Sequence, residues 1–190
     1  MGSSLTARDS EALLDEHAFE HEEYLPYWAE LWPSSLALAR AVTGRALRGA
    51  RTLELGCGLG LPSIAAALAG GRVLATDWAP DAVAMTRANA ERNGVQIETL
   101  VCSWTDPAPL VERAPWDLVL ASDVLYEARN ADALLPLLPR LGREVWLADP
   151  GRPPAARFLE LAAGEWTITS RPIPDLAAGA VYRLRQPVAT

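Results

Sequence analysis

The sequence predicts an α/β fold: a doubly wound, mostly parallel seven-stranded sheet whose last strands make an antiparallel edge. Three observations predict it. Short apolar runs alternate with helix-length segments from residue 52 to residue 163, the rhythm of repeated βα units. The last two runs, residues 165–171 and 180–185, lie close together in sequence, which fits an antiparallel edge. The first run, Thr52-Leu-Glu54-Leu, passes through glycines at 56, 58 and 60 into an apolar helix that carries Pro62 at its start. Glycine permits positive φ and lets a ligand approach the backbone. The helix start presents unpaired N–H groups, which favour an anionic or polar ligand. The sixth position of the dinucleotide pattern is Leu61, and no Gly-Lys-Ser/Thr follows, so neither the dinucleotide nor the P-loop fingerprint is met.

The remaining elements follow in order. Residues 9–19 carry scattered apolar positions among acids and predict a short surface helix. Residues 25–33 are aromatic and flanked by prolines, either a lid on the sheet edge or, through Trp28 and Glu30, part of a ligand pocket. Residues 34–47 predict a helix. The second strand, 72–76, ends in Asp77, about 20 residues beyond Gly56, where nucleoside-binding sheets place an acceptor for ribose hydroxyls. The same aspartate is also placed to cap the helix over residues 82–93. Asn93-Gly94 ends that helix. Strand three spans 95–101. Ser103 and Trp104 follow it, placed to meet a base or, for Trp104, to fill the core. Residues 106–109 predict a loop, and 116–121 an apolar strand buried on both faces that runs into Ser122, Asp123 and Tyr126. A helix over 130–141 is weakened by Pro136 and Pro139. Strand five, 144–148, ends in Asp149-Pro-Gly-Arg152, and a helix over 154–163 leads to the final two strands.

Composition bounds the function. The 190 residues predict one domain with a sizeable core. A net charge of −7 opposes nucleic acid as the main partner. No apolar run approaches the roughly 18 residues of a membrane span. Residues 1–23 are polar, with no signal-peptide core, and the two cysteines make no Cys-x-x-Cys pair, so the cytoplasm is expected. His17 and His21 have helical spacing but no third ligand motif, and no metal is expected. All 17 basic residues are arginine, so the chain offers no lysine side chain for modification.

Four stretches then agree in order: Pro26-Tyr-Trp-Ala-Glu-Leu-Trp-Pro-Ser-Ser, the Glu54–Gly60 turn, Asp77-Trp78, and Asp123-Val-Leu-Tyr126-Glu127. Together they resemble methyltransferase family 16, a branch of the seven-β-strand methyltransferases that holds many protein-lysine methyltransferases, here of bacterial type. The resemblance implies a Rossmann-like class I methyltransferase domain over residues 25–190, after an N-terminal helical extension at 1–24. The implied strand order is 3-2-1-4-5-7-6. The implied cofactor is S-adenosyl-L-methionine, leaving as S-adenosyl-L-homocysteine. Its contacts would be Trp28, Glu54, Gly56, Gly58, Gly60, Asp77, Trp78, Ser103, Trp104 and Ser122, with Asp123 and Tyr126 as the catalytic pair. Related lysine enzymes often carry Gly-Gly where Ser34-Ser35 stands, so the acceptor does not carry over.

The implied reaction is N-methylation of a protein lysine by direct displacement at the sulfonium methyl, with nucleophile, carbon and sulfur held in line. A lysine near pKa ~10.4 must first lose its proton. Asp123 would orient the ammonium and Tyr126 would shape its channel. The partner would be a protein substrate or a small-molecule amine, with no nucleic acid or membrane, and the chain would act as a monomer. Two other readings stay open: a small-molecule N- or O-methyltransferase, and a non-catalytic cofactor-binding subunit.

Overall fold

A computed structural model describes residues 27–174 and 176–187. The helix expected over 9–19, the extension at 1–24 and the pair His17 and His21 lie outside the described residues. A single 3₁₀ turn, Tyr27–Ala29, precedes α1 (Pro33–Thr43), β1 (Arg51–Leu55), α2 (Leu61–Leu68), β2 (Arg72–Asp77) and α3 (Pro80–Arg92). Then come β3 (Glu98–Val101), α4 (Ala108–Val111), β4 (Leu118–Ser122), α5 (Ala128–Leu141), β5 (Glu144–Asp149), α6 (Pro153–Ala162), β6 (Thr167–Pro172) and β7 (Ala180–Arg185).

The seven strands order as β3-β2-β1-β4-β5-β7-β6. The first five pair in parallel, and β7 pairs antiparallel with both β5 and β6. Strand alternation divides the interior into two cores. On β4 and β5, Val119, Ala121, Val145 and Leu147 face the core under α5 and α6, with Leu134, Leu138 and Phe158. Leu118, Leu120, Trp146 and Ala148 face the other core, with Leu38 and Val42 of α1 and Ala65 and Ala66 of α2. The chain reverses its winding between β1 and β4, which opens a crevice at their carboxyl ends.

Several element bounds differ from the sequence reading, and α1 ends at Thr43 rather than running to residue 47. β3 is shorter than expected because α3 ends in a Schellman closure: Gly94 has φ 68° and Val95 N–H donates to Ala90 O at 3.1 Å, which uses the residues before Glu98 to leave the helix. The expected loop at 106–109 instead leads into the short helix α4, anchored by fully buried Leu110. α5 runs through Pro136 and Pro139. A helix-interior proline costs about 3 kcal/mol, and here the buried row Leu134, Leu137, Leu138 and Leu141 offsets it.

Candidate active site

The crevice is a cavity of about 920 Å³. Its wall collects residues from the 3₁₀ turn, α1, the glycine turn, the ends of β2, β3, β4 and β5, and the start of α5. Ten of the twelve residues singled out by sequence reach it: Trp28, Gly56, Gly58, Asp77, Trp78, Ser103, Trp104, Ser122, Asp123 and Tyr126. Glu54 and Gly60 do not.

The glycine turn shows why those two part from the rest. Gly58 has φ 50°, and a Cβ there would sit 3.1 Å from the carbonyl oxygen of Trp28, so the aromatic turn packs onto the turn's backbone. Gly60 is the N-cap of α2 in a left-handed conformation, and its bare Cα abuts the Thr86 side chain, away from the cavity. Glu54 lies beneath the turn and is fully buried. Its Oε2 accepts from Ser63 N–H at 2.9 Å and from Ser63 Oγ–H, so it serves the α2 N-terminus, which has no capping side chain of its own. Burial pushes the Glu54 pKa up to about 8, against the lowering by Ser63. Its other oxygen, Oε1, is buried without a hydrogen-bond partner, which a protonated, neutral carboxyl tolerates better than a carboxylate.

Asp77 joins two turns. Oδ1 accepts from Ala79 N–H at 3.0 Å, and Oδ2 accepts from Gly58 N–H at 3.1 Å. The N-cap of α3 is Ala79, so Asp77 closes the turn before the helix rather than capping it. Burial raises its pKa, while the backbone N–H groups of Ala79, Gly58 and Trp78 pull it down. Each carboxylate oxygen keeps a free lone pair, so the side chain can still accept from a ligand. Trp78 is half exposed beyond it. Trp104 packs on the core and also shares the cavity wall beside Gly56. Cys57 is also on the wall, but burial and then the Asp77 charge hold its thiol well above the usual range, so it remains protonated at neutral pH.

At the other end, Asp123 follows β4 with φ 57°, a left-handed conformation that favours glycine and marks a strained position. Asp123 is 8% exposed and its Oδ1 accepts from Arg152 Nη1–H at 2.7 Å. Burial raises its pKa and Arg152 opposes the rise. Asp123 Oδ2 and Ser34 Oγ are both buried without a partner at hydrogen-bonding distance, although Ser34 lies near enough to help lower the Asp123 pKa. Tyr126 is 39% exposed, and its ring tilts against Tyr27 with centroids 5.8 Å apart. Desolvation raises its pKa, so it stays a neutral phenol.

Sequence reasoning missed Tyr27, Trp32 and Arg152 on this wall. Tyr27 and Trp32 were visible only as aromatic density in one segment. They are linked by Trp32 Nε1–H donating to Tyr27 O at 2.9 Å. Arg152 had a local signal in Asp149-Pro-Gly-Arg152, a turn closed by an aspartate, but nothing local announced its partner.

Both the sequence and the fold are similar to those of known proteins. The family model described as lysine methyltransferase matches residues 21–145, two-thirds of the chain, a span that holds the twelve site residues expected from sequence but not Arg152. The chain belongs to this family. The electron transfer flavoprotein beta subunit lysine methyltransferase of Xenopus laevis is 38% identical over 139 residues, 67% of this chain and 53% of the relative. The Homo sapiens protein of that name is 34% identical over 142 residues, 67% of this chain and 50% of the relative. The chain thus spans about half the length of these relatives. Among solved structures, magnesium protoporphyrin IX methyltransferase from Synechocystis PCC 6803 with bound SAM has a TM-score of 0.66 at 16% identity, covering 96% of this chain and 100% of that one. That likeness is one of fold: the Rossmann-like class I methyltransferase sheet with its antiparallel edge.

Proposed function

We propose that this member of the lysine methyltransferase family transfers a methyl group from S-adenosyl-L-methionine to the side-chain nitrogen of a lysine in a protein. One observation carries the reading: a single cavity is lined by the glycine turn and by Asp77, which ends β2, and also by Asp123 and Tyr126, just past β4 on the other side of β1. Its volume lies within the range of about 300–1,000 Å³ typical of small-molecule sites. The names of the relatives support a protein lysine as acceptor.

The chain's residues fit the cofactor. The bare Cα of Gly56 and of Gly58 leaves backbone open along the cavity wall. Asp77 retains acceptor capacity for ribose hydroxyls, and Trp78, Ser103 and Trp104 offer two apolar faces and a hydroxyl to the base. When bound, the cofactor supplies an electrophilic methyl on a sulfonium. Asp123 attracts and orients the ammonium, Tyr126 and Tyr27 narrow the approach, and Trp28 closes the wall against water. The ammonium must release one proton to solvent before its nitrogen lone pair can take the methyl; beyond that, the residues' work is alignment.

The test has two stages. Calorimetric titration with S-adenosyl-L-methionine gives saturable binding if the cavity is the cofactor site, and absence of binding overturns the reading. Methyl-labelled cofactor is then incubated with an undialysed lysate of the source organism, small molecules are separated from protein, both fractions are counted, and the protein fraction is hydrolysed and resolved. Label in Nε-methyl-lysine supports the proposal. The enzyme has no lysine of its own to add background. Label confined to small molecules assigns the acceptor to that class instead.

A further inference from the structure

Three side chains meet at the floor of the acceptor end. Asp123 follows β4, Asp149 ends β5, and Arg152 stands on the turn after it. Arg152 Nη1 is 2.7 Å from Asp123 Oδ1 and 3.5 Å from Asp149 Oδ2. The turn itself is fixed, because Asp149 Oδ1 accepts from Gly151 N–H at 2.7 Å and Arg152 N–H at 2.8 Å. The guanidinium also lies over the Trp32 ring, 5.6 Å from its centroid. Arg152 is therefore held by β4, by its own turn and by the aromatic segment, and it is part of the cavity wall.

The charges do not balance. Two buried carboxylates face one guanidinium, which leaves one negative charge in excess. A buried carboxylate beside another tends to take up a proton, and a cation between them prevents it. Asp123 Oδ2 remains without a hydrogen-bond partner. The surplus negative charge attracts an incoming ammonium, while Oδ2 itself stays buried beside the Ser34 hydroxyl.

We propose that Arg152 is a positioning residue for methyl transfer: bridging Asp123 and Asp149, it keeps Asp123 ionised and fixed, and the three together present one net negative charge to the substrate amine. This rests on reading Asp123 as the acid that meets the amine. The groups facing Asp123 are Arg152 and Asp149 from the β5 side and the Ser34 hydroxyl from α1. Burial and Asp149 raise its pKa, and Arg152 and Ser34 lower it. Removing Arg152 therefore raises it further and moves the acid limb of the activity profile to higher pH. Removing the Asp149 charge does the opposite to the pKa, but neutralises the cluster and weakens attraction for an ammonium.

Carboxyl carbon NMR of the full chain, labelled with ¹³C-aspartate, reads this directly, with the Asp123 resonance identified by its loss in Asp123→Asn. Arg152→Met raises the Asp123 midpoint by about one pH unit or more, and Arg152→Lys returns it to within about half a unit of wild type. Asp149→Asn, which retains an oxygen for the two backbone N–H groups, lowers it. In parallel, the acid limb of methyl transfer into dialysed lysate protein follows the midpoint in each variant, while S-adenosyl-L-methionine affinity holds. A midpoint unmoved by Arg152→Met overturns the proposal. If that variant does not fold, an unmoved midpoint in Asp149→Asn overturns it equally. A wild type that methylates no lysate protein, with midpoints shifted as stated, would sink the assigned reaction while the clamp on Asp123 stands.

Discussion

The two ends of the cavity hold their acids by different means. At the cofactor end, Asp77 is answered by backbone N–H groups of Gly58 and Ala79, whose positions follow from the strand–turn–helix path itself. At the acceptor end, Asp123 is answered by a side chain, Arg152, that comes from another strand connection. Backbone donors cannot be exchanged without moving the fold, whereas a side-chain donor can be replaced or retuned. The cofactor end is thus rigid by construction. The proposed acceptor end is strained at Asp123 and carries the buried Asp123 Oδ2 and Ser34 Oγ without partners at hydrogen-bonding distance, so substitution there disturbs the fold least.

Substitutions can break that comparison. The largest effect is expected from Gly58→Val. The added Cβ meets the Trp28 carbonyl, and a β-branched residue strongly resists the positive φ. Cofactor binding is expected to fall below detection by calorimetry, with the melting temperature lowered while circular dichroism keeps the sheet signature. Native affinity would show that the aromatic turn yields freely and that the cofactor end is not rigid.

Asp77→Asn comes next. An amide can keep one acceptor oxygen but then turns a donor toward either Gly58 N–H or Ala79 N–H. Loss of affinity for S-adenosyl-L-methionine by about 1.5–3 kcal/mol is expected, the scale of a hydrogen bond to a charged group. Asp123→Asn separates the ends most cleanly. Methylation of lysate protein is expected to fall about tenfold or more, equivalent to about 1.4 kcal/mol, while cofactor affinity stays as in wild type. Loss of both would place Asp123 in the cofactor pocket.

The smallest effect sharpens the picture beneath the turn. Glu54 has its pKa raised from 4.5 to about 8, so the folded protein binds a proton there that the unfolded chain releases at lower pH. Its contribution to stability is present in full below 4.5 and is lost as pH rises toward about 8. Asp77 and Asp123 are raised as well and act with the same sign. Glu54→Gln keeps an acceptor for Ser63 and removes the titration. Its melting temperature is expected to fall less than that of wild type over this window, as read by scanning calorimetry at several pH values. Parallel curves would mean that Glu54 is ionised in the folded state.

Much of the site is local in origin and so was legible. The glycines and the acid ending β2 each lie within a few residues of a strand end, and strand ends follow from apolar runs and the turns that stop them; the Asp123/Tyr126 pair was legible through the family resemblance. The survival of α5 past its two prolines, and the helical turn inside the expected loop at 106–109, have the opposite origin. Leu134, Leu138 and Leu110 are set by burial in a core that local propensity does not register.

The sequence by itself determined the order of elements and the doubly wound class, because alternation, helical spacing and turn chemistry act over a few residues, and its motifs, through the family resemblance, pointed to ten residues of one wall. Only the tertiary structure decided that Glu54 supports α2 from below, that Gly60 makes room for Thr86, and that Asp123 is held by Arg152. Each of these pairs joins different elements, Asp123 and Arg152 standing 29 residues apart. Their meeting depends on β4 lying beside β5 in the sheet, and strand order is settled by how the two cores pack, which no short stretch of chain contains.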